Sequence, residues 1–265
     1  MEPSYPTDMS DEQWELLLPL LAREKPGGRP RTVDLRAVVN AIFYMVVAGC
    51  AWRMLPKEYP NWKTVYHYFR AWRLDGTWEQ VHAQLVLWER VMQGHEAVPS
   101  AASMDSQSVK TATPASLAVG FDGGKRVKGR KRHLMVDTLG LVMMVVVTAA
   151  NVSDQQGARL IFQRLAALPQ RIARLLLIWV DGTYEGVDFM RWTMDTYRWV
   201  LETIKRSDTA KGFVLLPKRW VVERTWGWLN WSRRLSKDYE VLPETSEAFI
   251  YVAMIRLLLK RLASA

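Results

Sequence analysis

The apolar residues of this chain keep a helical spacing up to about residue 93 and then change period, and that one break limits the fold more than any motif. Before it, Trp14, Leu17, Leu18 and Leu21 follow Ser10 and Gln13, a capping-box pair, so a helix is expected over 11–22 behind a flexible leader of residues 1–9. Asp34 can cap a second helix through 47, which Gly49 ends. Asn61 caps a third over 62–74, stopped by Asp75-Gly76, and Thr77 starts a fourth that runs from 78 to about 91. The third helix should turn Val65, Tyr66, Phe69 and Trp72 toward a core and leave Lys63, His67, Arg70 and Arg73 outside. Helix, turn and a helix with one basic face fit a helix-turn-helix-like reader of DNA, although a basic face is also what plain solvation produces.

Residues 94–101 are polar and contain Pro99, which marks a linker between domains at 1–93 and 102–265. Beyond it, residues 104–110 make a short strand candidate, and 132–137 with 141–149 are β-branched runs around the turn Thr138-Leu139-Gly140, a hairpin pattern. A helix is expected from 151 to 168, a buried strand at 172–180, a helix at 186–196, a strand at 199–205, and helices at about 218–235 and 245–263. Three strands, helix, strand, helix, strand and closing helices are the order of a ribonuclease H-like fold. That is an α/β class with a mixed five-stranded sheet and flanking helices, behind a small all-α domain.

Apolar residues make up 49% of the 265, enough for a substantial core, and the formal charge of +9 suits a polyanionic partner. An anionic membrane surface would accept the same charge, but the longest apolar runs, 38–47 and 139–150, fall short of the roughly 18 residues of a spanning helix. Cys50 stands alone, so no disulfide framework exists, and a reducing cytoplasm is the expected home. The histidines at 67, 82, 95 and 133 lack zinc-site spacing. The 13 tryptophans are read chiefly as packing residues, with a minority suited to stacking on unpaired bases.

Against this basic background three acids stand out. Asp105 lies in Met104-Asp105-Ser106-Gln107, Asp181 ends the run Leu175 to Val180, and Glu223 sits inside Lys218-Arg219-Trp220-Val221-Val222-Glu223-Arg224. Alone, each has an ordinary reading: cap or turn for Asp105, turn for Asp181, an exposed ion pair with Arg219 or Arg224 for Glu223. Asp137 reads as a hairpin-turn residue and Asp154 as a helix start. Together, carboxylates on separate elements are what two-cation phosphoryl transfer requires. The interval from 105 to 181 holds two strands, a crossover helix and a strand, which could set the two aspartates on neighbouring strands.

Two basic segments accompany the acids. Residues 23–32 form a glycine- and proline-rich loop, either a solvated linker or an arm laid along DNA through Arg29 and Arg31. Residues 121–133 place Lys125, Arg126, Lys128, Arg130, Lys131 and Arg132 after a glycine pair; phosphate binding is favoured there over a plain solvated turn. Arg219, Glu223, Asn230, Arg234 and Lys237 recur at helical spacing and should share one face beside the third acid, with Arg233 next to them.

These strings resemble the DDE transposases of bacterial insertion sequences, in the branch named after insertion sequence five. Gly-Gly-Arg-Pro-Arg-Thr and Trp-Lys-Thr-Val-Tyr-His-Tyr-Phe-Arg-Ala-Trp are similar to that branch's N-terminal helical domain. Met104 to Lys110, Asn151-Val152-Ser153-Asp154, Val180-Asp181-Gly182-Thr183-Tyr184 and Arg219 to Arg224 resemble its acid motifs and the segment between them. The resemblance implies a ribonuclease H-like catalytic domain in which Asp105, Asp181 and Glu223 bind two Mg²⁺ or Mn²⁺ ions. It implies hydrolysis at the element's ends and attack of the freed 3′-hydroxyl on target DNA, without a covalent protein–DNA intermediate. Partners would be double-stranded DNA, as terminal inverted repeats and target, and further copies of the chain, at least a homodimer. In the related signature a tyrosine, an arginine, the glutamate and a lysine are spaced as Leu216, Arg219, Glu223 and Asn230 are here, so the first and last depart and Arg233, Arg234 or Lys237 would supply the lysine's phosphate contact. Two other readings stay open: a catalytically inactive DNA-binding repressor, and a metal-dependent nuclease without strand transfer. Small-molecule catalysis fits poorly, for want of a nucleotide-binding glycine motif.

Overall fold

The computed structural model describes residues 4–21, 33–204 and 217–264, and these divide into two compact units. The first contains residues up to Gln93 together with Leu229–Ser236 and the chain from Ala248 onward; the second contains Gly94–Trp228 and Lys237–Glu247. The division is therefore not a single cut at the 94–101 linker, because the chain returns twice to the first unit.

In the first unit, Ser10 caps α1 (Asp11–Leu17) in a reciprocal pair with Gln13. The helix is shorter than its apolar spacing suggests, because Pro19 lies inside the next turn and the chain tightens to a 3₁₀ turn at Leu18–Leu20. Asp34 caps α2 (Leu35–Ala48) by accepting from Arg36 and Ala37 N–H, and Gly49, at φ 72°, ends it in a left-handed turn. Asn61 caps α3 (Trp62–Leu74), and α4 (Thr77–Met92) follows one turn later. Val65, Phe69 and Trp72 are buried on α3 as expected, whereas Tyr66 is exposed and packs edge-on against Trp52. The core closes with residues from the end of the chain: Phe249 stacks on Phe69 at 4.4 Å between ring centres, and Arg234 lies over Phe249 at the same distance. Residues 4–9 are pinned rather than flexible. Tyr5 packs against Tyr44 and Tyr59, Asp8 accepts from Tyr59 Oη at 2.6 Å, and Met9 N–H donates to Asn40.

The second unit is a mixed sheet with helices, a ribonuclease H-like fold. Its strands are β1 (Ala101–Lys110), β2 (Gly120–Asp122), β3 (Val127–Asp137), β4 (Val142–Ala149), β5 (Leu177–Val180) and β6 (Val200–Thr203). The order is β3-β1-β5-β6, with β2 and β4 sharing the far edge of β3. β1 runs antiparallel to β3 and parallel to β5, and β5 is parallel to β6. Among the described residues there are six strands rather than five: β2, which covers only three residues, lacks the length for a periodicity signal. Between the strands run α5 (Asp154–Ala166), the single turn α6 (Pro169–Ile172) and α7 (Val187–Tyr197), and α8 (Pro217–Asn230) and α9 (Pro243–Leu262) close the chain. Pro169 starts a helical turn where a strand beginning at 172 was expected. One core cluster lies on one face of the sheet, where Ala102, Met104, Ile178 and Val180 meet Ile161, Phe162 and Phe189, while Leu134, Val136, Val145 and Val147 are buried as well.

Candidate active site

Strand register places the first two acids. Ser103 on β1 pairs with Trp179 on β5, so continuing that parallel register two residues sets Asp105 level with Asp181 on the neighbouring strand. Met104 and Val180, the residues just before them, are in the core, so alternation directs both aspartates to the opposite face. There α8 presents Arg219, Glu223 and Trp226 at helical spacing. Trp226 Nε1–H donates to Asp105 Oδ2 at 3.0 Å. The Arg219 guanidinium lies 3.9 Å from Asp181 Oδ2 and 3.9 Å from Glu223 Oε1, so the second and third acids are at most twice that distance apart. All three belong to the second unit.

Burial raises the Asp105 carboxyl above its ordinary range, and the neighbouring Asp181 charge adds to this, opposed by N–H donors from Ser106 and Trp226 and by Lys125. Asp181 follows the last strand residue and folds its carboxylate back on the next turn, accepting from Thr183 N–H at 2.8 Å and from the Thr183 hydroxyl. Among the described residues no three Asp, Glu, His or Cys side chains are drawn together tightly enough to hold an ion. Two adjacent carboxylates with one buried member have the donor chemistry of a hard divalent cation, and Arg219 supplies positive charge between the second and third.

The cations assigned from sequence separate into two kinds. Lys125 and Arg126 are exposed in the β2–β3 turn and Lys128 at the start of β3, with Lys125 Nζ donating to Ser106 C=O at 3.0 Å beside the first acid. Lys63 and Arg70 are exposed on α3, Arg73 is half-buried, and Asn230, Arg233 and Lys237 are exposed. Arg130 is not on the surface. Its guanidinium is fully buried, 2.9 Å from Asp238 Oδ1, and it donates to carbonyls of Leu117, Glu240 and Val241, so it staples two loops together. Arg132 is buried likewise and pushed down to about 10 by burial. Lys131 is buried between Asp154 and Asp122, at 3.2 and 3.7 Å. Arg234 turns inward and donates to Cys50 C=O at 2.7 Å. The single helical face proposed for Arg219 through Lys237 does not form, because α8 ends at Asn230 and a 3₁₀ turn at Arg233–Leu235 follows. Arg29, Arg31 and Leu216 lie outside the described residues.

Sequence reasoning missed Trp226 and the cluster of Ser106, Lys131, Asp154, Thr183 and Tyr184 behind the aspartates. The strings Asn-Val-Ser-Asp and Asp-Gly-Thr-Tyr carried the signal, but only as strings.

The ribonuclease H-like sheet thus carries aspartates at the same level of two parallel strands, with a glutamate on the helix beside them. Residues 96–258 match the family described as "Transposase DDE domain", and residues 9–82 match "Putative transposase of IS4/5 family". The chain belongs to the DDE transposases of insertion sequences. It is 29% identical over 129 residues to the "Putative transposase for insertion sequence element IS402" of Burkholderia cepacia, covering 46% of this chain and 59% of that protein. It is 31% identical over 109 residues to the "Insertion element IS402 uncharacterized 16.2 kDa protein" of the same organism, covering 38% of this chain and 72% of the relative. The match thus spans less than two thirds of the first relative's length. No solved structure matches the chain.

Proposed function

We propose that this transposase cleaves the ends of an insertion sequence and joins the freed 3′-hydroxyl to target DNA, using Asp105, Asp181 and Glu223. The observation that supports this most is the level pairing of Asp105 and Asp181 on adjacent parallel strands, with Glu223 one guanidinium away. Asp105 and Asp181 would hold a cation between them, and Glu223, whose side chain is half-exposed, swings off Arg219 to complete the set. Two Mg²⁺ or Mn²⁺ ions at these acids would activate the attacking oxygen and offset charge on the reacting phosphate.

The protein's own part is positioning. Trp226 fixes one Asp105 oxygen, the Thr183 turn fixes one Asp181 oxygen, and Arg219, once released by the acids, is free to grip a DNA phosphate. Water attacks the phosphodiester at the element's end, releasing a 3′-hydroxyl. That hydroxyl then attacks a target phosphodiester, whose own 3′-oxygen leaves, so no link to the protein forms. We assign Lys63, Arg70 and Arg73 on α3, Lys125 and Arg126 in the β2–β3 turn, Lys128 at the start of β3, and Asn230, Arg233 and Lys237 to DNA contacts, with the charge of +9 drawing in the duplex. Two ends must be paired, so the working species is a homodimer or larger on DNA, acting in the bacterial cytoplasm. Among the described residues no helix is long and apolar enough to cross a membrane.

Purified protein should nick and join end-bearing DNA with Mg²⁺, and Asp181→Ala should slow this at least about a thousandfold while end binding in gel shifts persists. Undiminished cleavage by that variant overturns the reading. Cleavage without joining to a circular target would make the chain a nuclease, and binding without cleavage under any divalent ion a repressor.

A further inference from the structure

Behind the two aspartates lies a fourth carboxylate that the reaction does not use. Asp154 is the first residue of α5, and its side chain is only 16% exposed. Ser106, the residue after Asp105, donates its hydroxyl to Asp154 Oδ1 at 2.7 Å, and Lys131 Nζ approaches the same oxygen at 3.2 Å. The Thr183 hydroxyl, which bonds Asp181, also faces Asp154. One carboxylate therefore touches both segments that carry the paired acids, and one buried ammonium holds it in place.

The start of α5 is built to stay put. Ser153 caps it reciprocally with Gln156, while any Cβ on Gly157 would run into the His133 ring of β3. An acid in the first turn of a helix is favourable by itself, yet that does not account for burying Lys131 beside it. Tyr184 packs into the same cluster: its hydroxyl is fully buried and interacts with Ser106, Asp105, Asp154 and Asp181.

We propose that Asp154, charge-paired with Lys131, is a positioning residue that clamps the Asp105 and Asp181 segments at the separation a divalent cation requires. The proposal rests on the catalytic reading above. Loss of a group that supports metal ligands costs about 10- to 100-fold in metal affinity. The test compares Asp154→Asn, Lys131→Met and the double variant with the unaltered full chain. Mn²⁺ binding is followed by electron paramagnetic resonance on DNA-free protein, and the Mg²⁺ midpoint of cleavage, end-DNA affinity and melting temperature are measured alongside.

We expect the Mn²⁺ dissociation constant and the Mg²⁺ midpoint to rise at least about tenfold in each single variant, with DNA affinity within twofold and the double variant no worse than the singles. Cation affinity like that of the parent, with or without a lower melting temperature, overturns the clamp. If the charge variants fail to fold, Ser106→Ala and Thr183→Val each release one strap while keeping the ion pair, and should raise the midpoint several-fold; parent-like midpoints in both overturn it. Asp181→Ala keeps the two readings apart. If it stays active, the catalytic assignment beneath the clamp has failed; if it is dead while Asp154→Asn binds Mn²⁺ like the parent, only the clamp has.

Discussion

Within five residues of β3, similar-looking cations meet opposite fates. Lys128 is exposed, whereas Arg130, Lys131 and Arg132 are buried, each with its charge answered by carboxylates or carbonyls. Composition cannot tell them apart, since a buried pair and a phosphate ligand use the same side chain, and only the partner decides. His133 is a sharper case. Its ring is buried against α5, with Nε2 3.0 Å from Thr148 Oγ1, and burial lowers its pKa to about 4. Above pH 6.5 it is neutral in both folded and unfolded chains and costs nothing. As pH falls through that value the unfolded histidine takes a proton that the folded one refuses, so stability drops until about pH 4 and then levels off. The loss at pH 5 is about 2 kcal/mol. Asp105 and Glu247, both raised by burial, titrate with the opposite sign, so the measurement is a comparison of urea melts at pH 7 and 5 for the parent and His133→Gln. The variant's decline should be shallower by that amount, and equal declines would refute the assignment.

At the scale of elements, caps were easy to read and endings were not. Ser10, Asp34 and Asn61 cap their helices as the local sequence dictates, because a side-chain oxygen two or three residues from a free N–H needs no distant partner. The end of α8 is different. Nothing in residues 230–236 is a helix breaker, and the run Arg233–Leu235 leaves the helix as Arg234 turns to Cys50 and Phe249, contacts far away in sequence. The α5–β3 contact is equally long-range and depends on one missing methyl. Gly157→Ala should cost on the order of 1–3 kcal/mol, well beyond the slight gain expected from alanine in a free helix. Chemical denaturation checks it; a neutral or stabilising result would mean that His133 moves aside freely.

For the whole chain, the family, the basic charge and the fold all came from a linear reading, but the division into the two compact units did not. The described part of residues 1–93 supplies four α-helices, yet their core is closed by Phe249 on Phe69 and Tyr251 beside His82 from α9, and Glu89 on α4 is paired with Arg261 at 3.6 Å. An isolated 1–93 fragment should therefore lose its closing layer and melt without a sharp transition by circular dichroism. A cooperative melt like that of the intact chain would show that those helices suffice alone. The same point separates DNA reading from mere helix content. The exposed basic face of α3 survives in the sequence of such a fragment, but its orientation depends on a core the fragment lacks.

The chain's order of elements, its transposase family and the acids proposed for its site were written in one dimension, because periodicity, caps and motif spacing are local properties. Which arginines stay buried, where α8 stops, how the ends of the chain return to the first unit, and that Asp154 reaches both acid-bearing segments were decided in three dimensions. Each of those depends on groups dozens of residues apart that meet only when register and packing bring them within hydrogen-bonding range. No window along the sequence contains both partners.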